Sequence, residues 1–198
     1  VVFPAMVFLM VLAPAVSGLL FGGGRFGHWA VTTTAQALVA FAAGMPALAW
    51  VKLASGRFYA VHDTRSPVKA SVLSLLVFAA AGFLFTPRWG APGVAAATSL
   101  SQYVAGCYLW WRLRTSGRAP KRELFSSLWR HALSAALMAV IVKHLADQVE
   151  FPLVTSVRGA LMVSGFGLLG LAVYVVGLWL TRAPELVEIK RLLQRRQA

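Results

Sequence analysis

The sequence predicts an all-α fold, a polytopic membrane helix bundle with six transmembrane helices. The first observation is composition: 59% of the 198 residues are hydrophobic and only 13% are charged, whereas soluble domains carry roughly 25% charged residues. The second is that six apolar stretches each approach the ~20 residues that a helix needs to cross a bilayer. The third is that lysines and arginines concentrate in alternate gaps between these stretches, as the positive-inside rule predicts.

The six predicted spans differ in how strongly apolar they are. The fifth is the weakest, with Arg130 and Lys143 near its ends, where long basic side chains can reach the headgroups. Before the third span, Ser66 is a suitable helix cap and Pro67 suits the first helical position. The spans are predicted at residues 1–21, 30–53, 68–85, 93–111, 128–146 and 157–180.

The distribution of charge predicts the orientation of the bundle. Most of the 19 lysines and arginines fall after the second, fourth and sixth spans, so these gaps are predicted to be cytoplasmic, with both ends of the chain on that side. Residues 182–198 place Leu186, Ile189 and Leu193 at helical spacing among basic residues. This tail is predicted to be a basic amphipathic helix on the inner leaflet, and the basic gaps to face anionic headgroups. A solvated tail is the alternative.

Several function classes are disfavoured by the residues themselves. The net charge of +13 does not indicate nucleic-acid binding, because the basic residues lie at the ends of apolar stretches. Cys107 is the single cysteine, which excludes an intrachain disulfide and a thiolate metal site. No aspartate or glutamate lies inside a span, and Gly165–Gly170 matches a dinucleotide fingerprint without the required strand. We predict no catalytic residues, no metal, no cofactor and no enzyme.

Lys52 is the candidate site residue. It lies near the end of the second span, before Phe58 and Tyr59 mark the interface. Two interpretations remain open from the residues alone: the amine reaches the headgroups, or it lines a polar cavity. The chain also begins at Val1 without an initiator methionine, and we expect it to be a piece of a longer protein.

A longer pattern resembles a known family. The landmarks run from the second span to the fourth: Gln36–Phe41, Val51–Ala54, Phe58–Ala60, Asp63–Lys69 and Gly90–Ser101. Together they are similar to the bacterial MurJ (MviN) family of lipid II flippases, within the multidrug/oligosaccharidyl-lipid/polysaccharide exporter superfamily. Members have fourteen spans in two lobes, so the resemblance implies that this chain holds the last six and that an N-terminal lobe of the same protein is missing.

The resemblance also implies a function and a partner. Family members move an undecaprenyl-pyrophosphate-linked cell-wall precursor across the bacterial inner membrane by alternating access. The precursor's head sits in a cationic cavity between the lobes, and its polyprenyl tail in a groove made with the last two spans. Carried over, Lys52 is a cavity cation and the fifth and sixth spans line the groove.

One family feature is expected to be absent, and other functions remain open. Some relatives bind sodium through polar residues on the span that corresponds to the third, but Phe78–Phe83 contains no asparagine or aspartate. The alternatives are another exporter of the same superfamily, which moves drugs or a polysaccharide-linked lipid, and a non-transporting membrane scaffold that recruits partners through its basic tail. A membrane enzyme is the least favoured.

Overall fold

The computed structural model describes residues 2–22, 27–117, 122–148 and 157–180. All regular secondary structure in these ranges is α-helical, which confirms the all-α prediction. The predicted basic tail at 182–198 lies outside the described residues. The helices are α1 (Val2–Val11), α2 (Ala13–Phe21), α3 (His28–Tyr59), α4 (Arg65–Trp89), α5 (Ala91–Thr115), α6 (Arg122–Ala146) and α7 (Val157–Leu180).

Each predicted span coincides with a helix, but the first is broken. Residues 1–21 were expected to form one span, whereas α1 and α2 meet at a 72° bend. Pro14 lies in the first turn of α2, where its missing N–H leaves no helical bond unmade. The helices that contain the second to fifth predicted spans extend beyond the predicted bounds, to α3 (His28–Tyr59), α4 (Arg65–Trp89), α5 (Ala91–Thr115) and α6 (Arg122–Ala146).

Not every described helix is apolar enough to cross a membrane by composition alone. Within the described ranges, α3, α4 and the Gly159–Gly177 part of α7 qualify, and α1 with α2 qualifies if the bent pair is one span. In α5 the apolar sequence, though not the helix itself, is interrupted by four polar residues: Thr98, Ser99, Ser101 and Gln102. These side chains all make hydrogen bonds, so they are compatible with a central helix in a membrane protein. The number of crossings stays a prediction.

The start of α4 differs from the expected cap. The N-cap residue is Thr64, not Ser66, and Thr64 makes no side-chain capping bond. Asp63 satisfies the first turn instead: its carboxylate accepts hydrogen bonds from the Ser66 backbone N–H at 3.1 Å and from the Ser66 hydroxyl at 2.7 Å. The prediction for Ser66 was therefore wrong, because the acidic residue one turn earlier is the stronger acceptor.

The bundle has two separate hydrophobic cores. The helices α3, α4 and α5 enclose one of them, and α1, α6 and α7 the other, while α1 and α2 also pack on α3. The first core consists of Ala54, Phe58, Ala70, Ala105, Leu109 and Leu113. The second consists of Val7, Leu12, Ala135, Met138, Val142 and Tyr174.

Polar contacts fasten α3 to α5. The Ser99 hydroxyl donates to the Ala40 carbonyl oxygen at 2.6 Å, and the Tyr103 hydroxyl donates to the Ala43 carbonyl oxygen at 2.8 Å. The helices come so close that a Cβ atom at Gly44 would lie 2.8 Å from the Cα of Ser99. Small residues and interhelical hydrogen bonds are the usual means of helix association in lipid, so this crossing is built for a membrane setting.

Candidate functional site

Lys52 is exposed on α3. It belongs to a stripe at helical spacing that the described helices leave at least partly uncovered. Phe41, Lys52 and Tyr59 are exposed in this stripe, and Met45 and Leu48 are half-buried. The stripe lies away from the α5-facing side of α3, where Ala54 and Phe58 are buried. The structure thus offers a long, mostly apolar helix face with a single lysine among the five residues of the stripe.

The backbone around Lys52 is held by its neighbours rather than by Lys52 itself. Trp50 donates from its indole Nε1 to the Gly106 carbonyl oxygen of α5 at 3.2 Å. The Trp50 ring also packs against Trp110, with ring centroids 5.6 Å apart. This pairing across α3 and α5 was not predicted, because nothing in the local sequence signals a contact between residues so far apart.

An apolar groove of about 310 Å³ lies between α1 and α6. Phenylalanine, methionine and valine side chains form the α1 wall, and alanines form the α6 wall. The lining residues are Phe3, Met6, Val7, Met10, Val11, Ala132, Ala135, Ala136 and Ala139. Polar side chains are absent from this lining, so the groove suits a hydrocarbon chain and not a charged group.

The groove differs from the expected arrangement of the last two spans. The fifth span contributes its α6 alanines, but the other wall comes from α1 and not from α7. The helix α7 packs against α6 at close-approach glycines: a Cβ at Gly170 would lie 2.6 Å from Met138 Cε, and one at Gly177 would lie 3.1 Å from the Ser134 side chain. The α6–α7 pair is also joined by a 2.7 Å hydrogen bond between His131 Nδ1 and the Tyr174 hydroxyl.

A polar cluster connects the α3–α4 turn to α5. Arg112 donates from Nη2 to the Ser66 hydroxyl at 3.3 Å, and Ser66 in turn donates to Asp63. The Ser66 hydrogen bonds, with a smaller contribution from the Arg112 charge, hold the pKa of the Asp63 carboxyl below its ordinary value of 3.8. This cluster serves the fold, because the Asp63 carboxylate already accepts the hydrogen bonds of Ser66 at the start of α4.

The described residues also bear on metal binding. None of the described histidines, cysteines, aspartates and glutamates form a group of three or more that could hold a metal ion. In the α4 segment where some relatives are expected to bind sodium, Phe83 is exposed and Ala81 is buried.

Comparison with known proteins places these features in a family. The family model described as Lipid II flippase MurJ matches residues 1–176. A probable lipid II flippase MurJ of Thermotoga maritima is 30% identical over 188 residues, covering 95% of this chain and 37% of that protein. One of Rhizobium tropici is 27% identical over 201 residues, covering 98% of this chain and 37% of that protein.

A solved structure gives the same fold. Lipid II flippase MurJ in an inward closed conformation matches with a TM-score of 0.75 at 22% identity, covering 89% of this chain and 35% of that chain. The chain thus spans about 37% of the length of the first relatives it matches. With a family match over most of its residues and a bundle of apolar helices, the chain belongs to the lipid II flippase MurJ family and is part of a multi-pass membrane protein.

Proposed function

We propose that this chain is the C-terminal part of a lipid II flippase, which moves an undecaprenyl-pyrophosphate-linked precursor across the bacterial inner membrane. The observation that carries the proposal is the presence of two unlike features in one bundle: the exposed Lys52 on an apolar helix face and the apolar groove between α1 and α6. A lipid-linked precursor needs both, because its head is anionic and its tail is hydrocarbon. The names of the matching relatives support the same substrate.

Lys52 would contact the pyrophosphate. An ionisable side chain within a membrane helix is costly unless it has a partner or lines a wet cavity. A lysine acts on phosphate as a point charge, and the uncovered stripe of α3 leaves room for a second lobe to close the cavity. The remaining cations of the cavity would come from the part of the protein outside this chain, since relatives are much longer.

The groove between α1 and α6 would hold part of the polyprenyl tail. Its alanine wall keeps one side smooth, and Met6 and Met10 on the other side are flexible enough to follow an irregular chain. Because the tail leaves equally apolar lipid to enter the groove, the fit of its carbons against the lining side chains, and not the hydrophobic effect, would keep it in place. The sixth span would support this wall by packing behind α6.

The movement would follow alternating access, with two lobes rocking around the bound head. In this arrangement both ends of the chain are cytoplasmic, and the basic gaps and the tail at 182–198 contact anionic headgroups. The protein moves its substrate without making or breaking covalent bonds, so it is a transporter and needs no catalytic residues.

The test is growth of a bacterium depleted of its own lipid II flippase. The complete protein that contains this chain should restore growth, and residues 1–198 alone should not, because half of the cavity is missing. Lys52→Gln should reduce rescue strongly, whereas Arg88→Gln should leave it unchanged; Arg88 is exposed near the C-terminal end of α4. Full rescue by Lys52→Gln would refute the proposed site.

A second arm separates the rival functions. A scaffold that works through its tail predicts complete loss of rescue when residues after Arg182 are deleted, whereas a flippase predicts a milder loss. An exporter of other compounds predicts that the complete protein fails to move fluorescent lipid II in vesicles. Failure in that vesicle assay would refute the proposed substrate.

A further inference from the structure

The orientation of Lys52 depends on how the last part of α3 is held. Pro46 lies inside α3, six residues before Lys52. A proline in a helix removes one backbone hydrogen bond and weakens the helix at that point. The segment of α3 after Pro46 therefore depends more on its contacts with α5 to fix its direction, and with it the direction in which Lys52 points. Ala54 and Phe58 supply such contacts beyond Lys52, and Trp50 supplies one between Pro46 and Lys52.

Two sets of contacts hold α3 on either side of Pro46. Before the proline, Ser99 and Tyr103 of α5 bond to the carbonyl oxygens of Ala40 and Ala43. After it, the Trp50 indole donates to the Gly106 carbonyl oxygen. Among the hydrogen bonds that the structure describes between α3 and α5, the Trp50 bond is thus the one nearest to Lys52 along the chain.

Trp50 packs closely against Gly106 of α5. A Cβ atom at Gly106 would lie 3.1 Å from Trp50 Cδ1, a distance at which the indole would have to shift. Lys52 follows two residues later, which at 3.6 residues per turn places it about 200° further around the helix. Pinning the indole to α5 therefore aims Lys52 away from α5, towards the uncovered stripe.

We propose that Trp50 is a positioning residue for substrate binding: held by the Gly106 carbonyl, it sets the direction of Lys52 towards the pyrophosphate of a lipid-linked substrate. This inference rests on the proposed function, because it needs Lys52 to be the cation that meets the substrate head. Trp50 itself does not touch the substrate. Any effect of a Trp50 substitution on substrate binding should therefore depend on the presence of Lys52.

A double-mutant cycle tests this dependence. The complete protein is reconstituted in vesicles, and the KM for fluorescent lipid II is measured for the wild type, Trp50→Phe, Lys52→Gln and the double variant. Phenylalanine keeps a ring but removes the indole N–H. If the roughly 1 kcal/mol of one neutral hydrogen bond serves to orient Lys52, its loss should raise KM about fivefold. Lys52→Gln should raise KM about tenfold or more, and Trp50→Phe should add nothing to it.

The controls separate positioning from general damage. Trp29→Phe removes an indole that is 78% exposed and should leave KM unchanged. Gly106→Ala, which displaces the indole from the other side, should reproduce the Trp50→Phe effect and should likewise vanish in the Lys52→Gln background. A fivefold loss that persists without Lys52, or an unchanged KM for Trp50→Phe, overturns the positioning role. An unchanged KM for Lys52→Gln instead refutes the proposed site.

Discussion

The crossing of α3 and α5 at Gly44 gives the sharpest test of the packing. Gly44→Ala places a Cβ atom 2.8 Å from both Cα and Cβ of Ser99. The Ser99 backbone cannot rotate away as the end of a flexible side chain can, so the helices must separate. Overpacking costs about 1–3 kcal/mol, and a lengthened Ser99–Ala40 hydrogen bond adds about 1 kcal/mol. We expect Gly44→Ala to lower the free energy of unfolding by about 2–4 kcal/mol.

The measurement is unfolding by SDS titration in mixed micelles, with helicity as the signal. The matched control is Gly56→Ala on the same helix, where the new Cβ meets nothing within 4 Å. Because alanine is the better helix former, this control should be neutral or more stable by up to about 1 kcal/mol. Ser99→Ala should not rescue Gly44→Ala, since the clash includes the Ser99 backbone. Equal stability of the Gly44 and Gly56 variants would refute the close crossing.

Two further predictions concern the α3–α4 turn and the groove. The pKa of Asp63 is lower in the folded protein than its ordinary value of 3.8. The contribution of Asp63 to stability should therefore be complete above pH 3.8 and should be lost as the pH falls through the lower folded pKa. When the free energy of unfolding is measured against pH, Asp63→Asn should remove that part of the acid dependence. Ala136→Phe should fill part of the groove with its ring and weaken binding of long-chain polyprenyl pyrophosphate about tenfold more than binding of a short-chain analogue, because a steric overlap costs about 1–3 kcal/mol. The same substitution at the exposed Ala80 of α4 should have no such effect, and equal losses at both positions would rule out the groove as the tail site.

The sequence predicted what depends on local composition. Apolar stretches marked the helices, and Lys52 stood out because a cation interrupts one of them. The bend between α1 and α2, the α1 wall of the groove and the Trp50–Gly106 contact were not predicted. Each depends on which helices become neighbours, and hydrophobic periodicity carries little of that information when most helix faces are apolar. The cap of α4 was mispredicted for another reason, because Ser66 and Asp63 are both good acceptors and only geometry decides between them.

The separation of the two cores has a consequence for how the chain is made. The helices α3, α4 and α5 follow one another along the chain, so their core can close as soon as Thr115 has been synthesised. Leu12, in contrast, must wait for Ala135 and Met138, its partners in the other core. During synthesis α3 can already provide α1 and α2 with contacts that they keep in the final structure, and the late arrival of α6 and α7 completes the assembly. Non-local contacts of this kind are the slow ones, so misassembly during biogenesis should begin at the first helices and not at the middle of the chain.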